Sequence, residues 1–283
     1  MISSRKILSF LILSALVFEI SRFYSFVENY SSWQYVDWLI NYEGGLVRRG
    51  FIGEILYLIH KLFLIDLDKI IFSFVSLIYI FISYFLFKSL KYIENSYENI
   101  LIFLSPGFFI YPVMNSGIIG RKDILFIFFI SFFVFFEKKI SNKYFLSALI
   151  ISIIILCLSH SGFIFYSPYL IFLYILIKLN RNLKIKKIEI LSISITILFL
   201  VIFILSFNGS DTLIENICSS VKNFVSKTCG KSDQLYWLKS SIDNRLFEKL
   251  NMGNNFITNY FLIYFLSIVL VFFFISIRFI NSN

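Results

Sequence analysis

Long apolar runs alternate with short polar connectors along this chain, a pattern that predicts an all-α protein built from membrane-spanning helices. Against a hydrocarbon core of about 30 Å, or roughly 20 helical residues, the runs amount to about eight spans. They lie near 6–27, 69–87, 98–114, 123–137, 143–159, 162–178, 188–207 and 256–278. The runs at 98–114 and 123–137 are short and call for tilt or local thinning of the bilayer. One apolar segment does not fit as a span. FIGEILYLIHKLFLI (51–65) is only about 22 Å long as a helix, and its Glu54, Tyr57 and Lys61 recur at helical spacing. That polar stripe predicts a helix lying along the outer membrane interface.

The connectors set the orientation. KSLK (Lys88, Lys91), EKKISNK (Lys138, Lys139, Lys143) and KLNRNLKIKK (Lys178, Arg181, Lys184, Lys186, Lys187) are basic and fall between alternate spans. Placed in the cytoplasm, they bring Arg5, Lys6 and Arg278 to the same side, so both termini are expected inside. Counting 51–65 as a span would reverse every later connector. The N-terminal MISSRKILSFLILSALVF resembles a signal peptide, but the apolar run continues past Glu19 with no small-residue cleavage site, so it reads as an uncleaved first span. The expectation is a single integral membrane domain over residues 1–283, a polytopic helical bundle. It has external segments at 28–68 and 208–255.

Composition agrees with this class: 58% of residues are hydrophobic, 37 are Phe and 15% are charged, with a mean hydropathy of +0.82. Soluble domains run near a quarter charged. The net charge of +9 sits in the connectors rather than in a basic-aromatic stripe, so no nucleic-acid partner is expected. Cys218 and Cys229 lie in the external 208–255 segment, where an oxidising exterior favours a disulfide over two free thiols. Such a bridge closes a small loop and contributes roughly 3 kcal/mol. Cys157, deep in an apolar run, reads as a small buried hydrophobe.

Within this oily chain, DWLINYEGGLVRRGFIGE (37–54) concentrates acids, paired arginines and glycines beside the membrane. Glycine lets backbone approach a ligand closely, and arginine forks suit phosphate. Asp37 and Glu43 are candidate general bases, able to take a proton from an attacking hydroxyl, and the alternative is that they pair with Arg48 and Arg49. In the second external segment Arg121 and Lys122 precede a helix N-terminus, a place suited to phosphate. The plain alternative there is a solvated turn capped by Asp123. His160 ends the span before the third external loop, where it either contacts a phosphate or orients an acid, or is simply a satisfied interfacial histidine. His60 is assigned no role, and Glu19 and Arg22, three apart on the first span, are expected to pair. A P-loop, a GxSxG elbow, Cys/His zinc spacing, an internal repeat and a string of intramembrane acids are all missing.

The layout resembles two related groups of polyprenyl-lipid-dependent enzymes. Asp37 and Glu43 followed by helix 51–65 look like GT-C-fold membrane glycosyltransferases, which carry an acid in the first external loop ahead of interfacial helices. YEGG (42–45), GRKDILF (120–126) and LSHSG (158–162) are similar to landmarks of the O-antigen and exopolysaccharide polymerases. The resemblance covers roughly residues 1–180; an obvious DxD in the first loop and a large C-terminal domain are missing.

The resemblance implies a multi-pass protein of the bacterial inner membrane that takes a polyprenyl-linked sugar from the bilayer and a glycan acceptor at the external face. Arg48, Arg49, Arg121, Lys122 and His160 would hold the phosphate, and Asp37 or Glu43 would deprotonate the acceptor. No cofactor is required, and a divalent metal is left open. Two other classes stay in view: a lipid-linked glycan flippase or small-solute transporter, and a non-catalytic membrane assembly subunit.

Overall fold

The computed structural model describes residues 4–29, 33–92, 116–137, 139–207, 209–225, 229, 235 and 238. They belong to one folded unit, Met1–Lys239. Among them all regular structure is helical. The expected spans at 98–114 and 256–278 lie outside the described residues.

Helix α1 (Ser4–Glu28) buries Leu8, Ile12, Ala15, Glu19, Phe23 and Val27, a stripe at steps of three and four residues. That stripe packs on α4 (Leu67–Ser89), whose Ile71, Val75, Tyr79 and Ile82 are buried in turn. Between them the chain forms the short helix α2 (Trp33–Val36), a 3-10 turn (Asp37–Leu39), a glycine-bearing loop and α3 (Phe51–Phe63). Helix α3 ends where Leu64 turns left-handed, at φ 54°.

Helix α5 (Asp123–Phe135) packs along α4 through phenylalanines. Phe85 stacks on Phe135 at 5.0 Å and meets Phe128 at 6.2 Å. Tyr79 contacts Gly120 near the start of this pairing and Phe85 contacts Phe135 near its end, so α4 and α5 run parallel. Helix α6 (Asn142–Ser159) returns beside α5 with Phe145 against Phe133. Helix α7 (Ser167–Asn180) stacks Tyr174 on Phe145 at 5.3 Å. Helices α8 (Lys187–Ser206) and α9 (Asp211–Ser220) complete the described fold.

Among the described residues three helices, Ser4–Glu28, Leu67–Tyr92 and Lys187–Ser206, are long and apolar enough to cross a membrane, while three shorter apolar helices, Asp123–Phe135, Tyr144–Ser159 and Ser167–Asn180, accompany them. Helix α8 leaves Ile195, Leu198, Phe199 and Ile202 more than half exposed, a surface suited to lipid rather than water. The fold is that of a membrane protein.

Two expectations are corrected. The run at 162–178 is not one helix: Ser161–Phe165 forms a 3-10 turn, and α7 begins only at Ser167, with Pro168 in its first turn. Proline lacks the N–H that an interior helix position must donate, so the first turn is its natural place. Glu19 and Arg22 do not pair either. The α1–α4 packing turns Glu19 inward, while Arg22 is exposed and lies over the Phe26 ring at 4.9 Å.

Polar contacts gather at two opposite ends of the bundle. At one end Lys178 pairs with Glu189 at 2.6 Å, Asn180 donates to Glu137 and Arg181 donates to the Ile140 carbonyl. These join the connectors around 137–143 and 178–189. At the other end the first loop, the turn at 116–122 and α9 meet, and that end carries the candidate site.

Candidate functional site

The first loop and the second turn are stitched together by hydrogen bonds that hold backbone to side chain. Gln34 Nε2 donates to the Gly117 carbonyl at 2.9 Å, and Trp38 Nε1 donates to the Gly120 carbonyl at 2.6 Å. The Gly120 N–H donates to Tyr79 Oη at 2.9 Å. Gly120 has φ +74°, and a Cβ there would stand 2.0 Å from Phe23 Cδ2, so only glycine fits this left-handed turn against α1. The consequence is that the RKD triplet (121–123) is delivered at a set height beside Asp37.

Asp37 is buried at 5% exposure, with two cations beside it. Arg49 Nη1 lies 3.9 Å from its Oδ1, and Lys122 Nζ lies 3.9 Å from its Oδ2. Both gaps are ion-pair distances beyond hydrogen-bond reach, and Asp37 Oδ1 accepts no hydrogen bond among the described residues. Lys122 Nζ donates to the Arg49 carbonyl at 3.0 Å and sits 5.9 Å from the Trp38 ring centre. The lysine therefore ties the second turn to both the acid and the backbone of the first loop.

Burial shapes the charges of this cluster. It pushes the Lys122 ammonium down to about 8, with Asp37 opposing the shift and Arg49 adding to it. Arg48, 1% exposed, is pushed down to about 10 by burial and then by Arg49. Arg49 is lowered by burial, against the pull of Asp37.

The other candidates are placed differently. Glu43 forms a half-exposed ion pair with Lys61 of α3 instead of meeting Arg48 or Arg49. Glu54 Oε2 accepts from the Tyr42 N–H at 2.7 Å. Thus two members of the α3 polar stripe hold the loop 41–43, while Ile55, Leu58, Leu62 and Phe63 remain exposed. Gly53 permits this contact, since a Cβ would lie 1.9 Å from the Ile40 carbonyl oxygen. Arg121 pairs with Asp123 at 2.7 Å and lies over Trp33 at 5.0 Å. Asp123 therefore does not cap α5, whose N-cap residue is Lys122 and has no side-chain cap; the carboxylate has turned back to the adjacent guanidinium.

His160 Nδ1 accepts from the Gly162 N–H at 3.1 Å and so caps the 3-10 turn. That turn reaches the first turn of α5 through Phe163, which stacks on Phe126 at 6.3 Å. The third loop thus meets α5 at its site end. Helix α9 closes on the first loop from another side: Asn41 Nδ2 donates to Ser220 Oγ at 2.9 Å, and Gly44 faces the Leu213 carbonyl. Cys218 and Cys229 are joined as a disulfide with Cα atoms 5.9 Å apart. Cys157 is buried and free.

Sequence reasoning did not find Gln34, Trp38 and Tyr79, which assemble the cluster. Neither spacing nor charge marks them, because their role depends on the glycine turn they hold. Among the described residues no group of three or more His, Cys, Asp or Glu side chains converges to hold a metal. Arrangement and fold together define a helical membrane protein with a buried acid between basic side chains at one end of its bundle. Comparison with protein-family models, curated proteins and solved structures finds no match.

Proposed function

We propose that this protein is a bacterial inner-membrane glycosyltransferase or polysaccharide polymerase. It would act at the external face on sugars linked to polyprenyl phosphate or diphosphate. The observation carrying this reading is Asp37, buried between Arg49 and Lys122 that come from separate loops. A carboxylate with free acceptor capacity next to cations is the pairing that glycosyl transfer from a phosphate needs.

In the proposed reaction Asp37 takes the proton of an acceptor hydroxyl. The acceptor oxygen bonds to the anomeric carbon as the bond from that carbon to the phosphate oxygen breaks. Arg48, Arg49, Arg121 and Lys122 offset the charge that appears on the leaving phosphate, with His160 at the neighbouring turn. Glu43 is the second candidate base. Its ion pair with Lys61 at the loop's edge favours Asp37 for the role.

The reading includes eight spans, both termini in the cytoplasm, α3 along the outer interface, and the disulfide segment outside. Support comes from the segregation of contacts: segments expected outside touch one another at one end, and basic connectors expected inside touch at the other.

The test is to delete the gene and examine surface glycans by gel and mass spectrometry, with complementation by wild type or Asp37→Asn. Loss of a long ladder with one repeat unit retained identifies a polymerase, and a repeat unit lacking one sugar identifies a transferase. Unchanged glycans, or full rescue by Asp37→Asn at normal protein level, overturns the reading. Glu19, a carboxyl buried within a membrane-length helix, favours a second reading as a lipid-linked glycan flippase. Complete lipid-linked units accumulating on the cytoplasmic side would select it.

A further inference from the structure

Midway along α1 lies a carboxyl group that the Asp37 cluster does not use. Glu19 occupies the buried stripe between Ala15 and Phe23, has 0% exposure, and neither of its carboxyl oxygens has a hydrogen-bond partner among the described residues. It lines a small hollow together with Tyr79, Ile82, Ile118, Asp123, Ile124 and Ile127. The isoleucines offer nothing to a charge. Tyr79 Oη accepts from the Gly120 N–H and keeps capacity for another contact, and Asp123 is already balanced by Arg121.

A buried carboxylate without a partner is costly, and the usual remedies are a bound cation or a hydrogen-bonded neighbour. Among the described residues no neighbour supplies the bond. With Asp123 matched by Arg121, the hollow carries the single formal negative charge of Glu19. Its side-chain donor atoms are all oxygens, two carboxylates and one phenol, with neither nitrogen nor sulfur among the lining side chains. Such a set suits a hard cation over a transition metal, and one negative charge matches one positive charge.

We propose that the Glu19 hollow binds one monovalent cation, H⁺ or Na⁺, with the Glu19 carboxyl as principal ligand and Tyr79 Oη as a second oxygen. The site is linked to the charge cluster through a single residue. Tyr79 also holds the Gly120 N–H, and Gly120 carries the turn that leads into Arg121 and Lys122. Occupancy of the hollow therefore bears on the position of that turn. The groups facing Glu19 are Tyr79 from α4 and Asp123 from α5.

The experiment uses the full chain purified in detergent, with two readouts. Thermal unfolding is followed as NaCl replaces choline chloride at constant ionic strength, and infrared spectra are compared between wild type and Glu19→Gln. A Na⁺-dependent rise in melting temperature that Glu19→Gln abolishes identifies Na⁺. A protonated-carboxyl band absent from Glu19→Gln, with no Na⁺ response, identifies H⁺. Tyr79→Phe keeps the carboxyl and removes one ligand oxygen, so in the Na⁺ case it weakens the half-maximal concentration by about tenfold. In the H⁺ case it shifts the Glu19 band without removing it. The proposal is overturned if wild type shows neither a Na⁺ response nor a Glu19 band, or if whichever signal it shows persists in Glu19→Gln. If that variant does not fold, an unchanged response and band in Tyr79→Phe overturns the arrangement.

Discussion

Replacing Lys122 with methionine isolates the energetic consequence of burying a cation in this cluster. Burial lowers the ammonium from 10.5 to about 8, with Asp37 working against the shift and Arg49 with it. An unfolded lysine holds its proton to about pH 10.4. Between these two values the unfolded chain binds more protons than the folded one, so stability rises with pH across that window. Below about pH 8 the penalty for the buried charge is fully present, and above about pH 10.4 it is gone. At roughly 1.4 kcal/mol per pH unit the whole rise is about 3 kcal/mol, an upper figure because Asp37 and water relaxation share in it.

Lys122→Met keeps an unbranched apolar stem and removes the charge that lies 5.9 Å from the Trp38 ring centre. It also removes the donor to the Arg49 carbonyl, a loss that is the same at every pH. The assay is thermal unfolding of the detergent-purified protein from about pH 7 to about pH 11, wild type against variant. Arg48 and Tyr42 titrate on the alkaline side in both proteins and drop out of the difference. The expected outcome is a wild-type curve that climbs relative to the variant by up to about 3 kcal/mol across the window. Parallel curves would refute the reasoning, since they would mean that Lys122 is not held charged in a water-poor site.

Four further outcomes are expected. Gly120→Ala places a Cβ 2.0 Å from the Phe23 ring at φ +74° and should cost about 2–4 kcal/mol, read as a lower melting temperature. Trp38→Phe retains the ring but leaves the Gly120 carbonyl without its 2.6 Å donor, a loss of about 1–2 kcal/mol that thermal unfolding would register. Cys218→Ser opens a disulfide of sequence separation 11 and should lower stability by about 2–3 kcal/mol under oxidising conditions and not under reduction. In intact cells, an impermeant thiol reagent applied after reduction should label Cys218 and Cys229, and labelling only after lysis would contradict an external location.

The helices were legible because a run of apolar residues long enough to cross a bilayer leaves the backbone few alternatives. Runs 6–27, 69–87 and 188–207 correspond to α1, α4 and α8 within two residues at each end. Over 162–178 uninterrupted hydrophobicity conceals a 3-10 turn, and Pro168 marks where the helix starts. At the site, Asp37, Glu43, Arg48, Arg49, Arg121, Lys122 and His160 each stood out as polar groups in an apolar chain. Their grouping did not. Whether Asp37 meets Arg49 and Lys122 while Glu43 meets Lys61 depends on how loop and turn are docked, and Gln34, Trp38 and Tyr79 do that docking through backbone atoms.

By itself the sequence determined the class of the protein, the positions of α1, α4 and α8, and the polar residues that cannot be ordinary lipid-facing side chains. Each of these follows from local hydropathy and spacing. Tertiary structure alone decided the rotation of α1, which separates Glu19 from Arg22 and turns it into an apolar hollow. It also decided the company of Asp37, which is drawn from loops far apart in the chain. The physical reason is common to both: a helix's facing and an ion pair's partner are set by which surfaces pack together, and packing is a property of the assembled bundle.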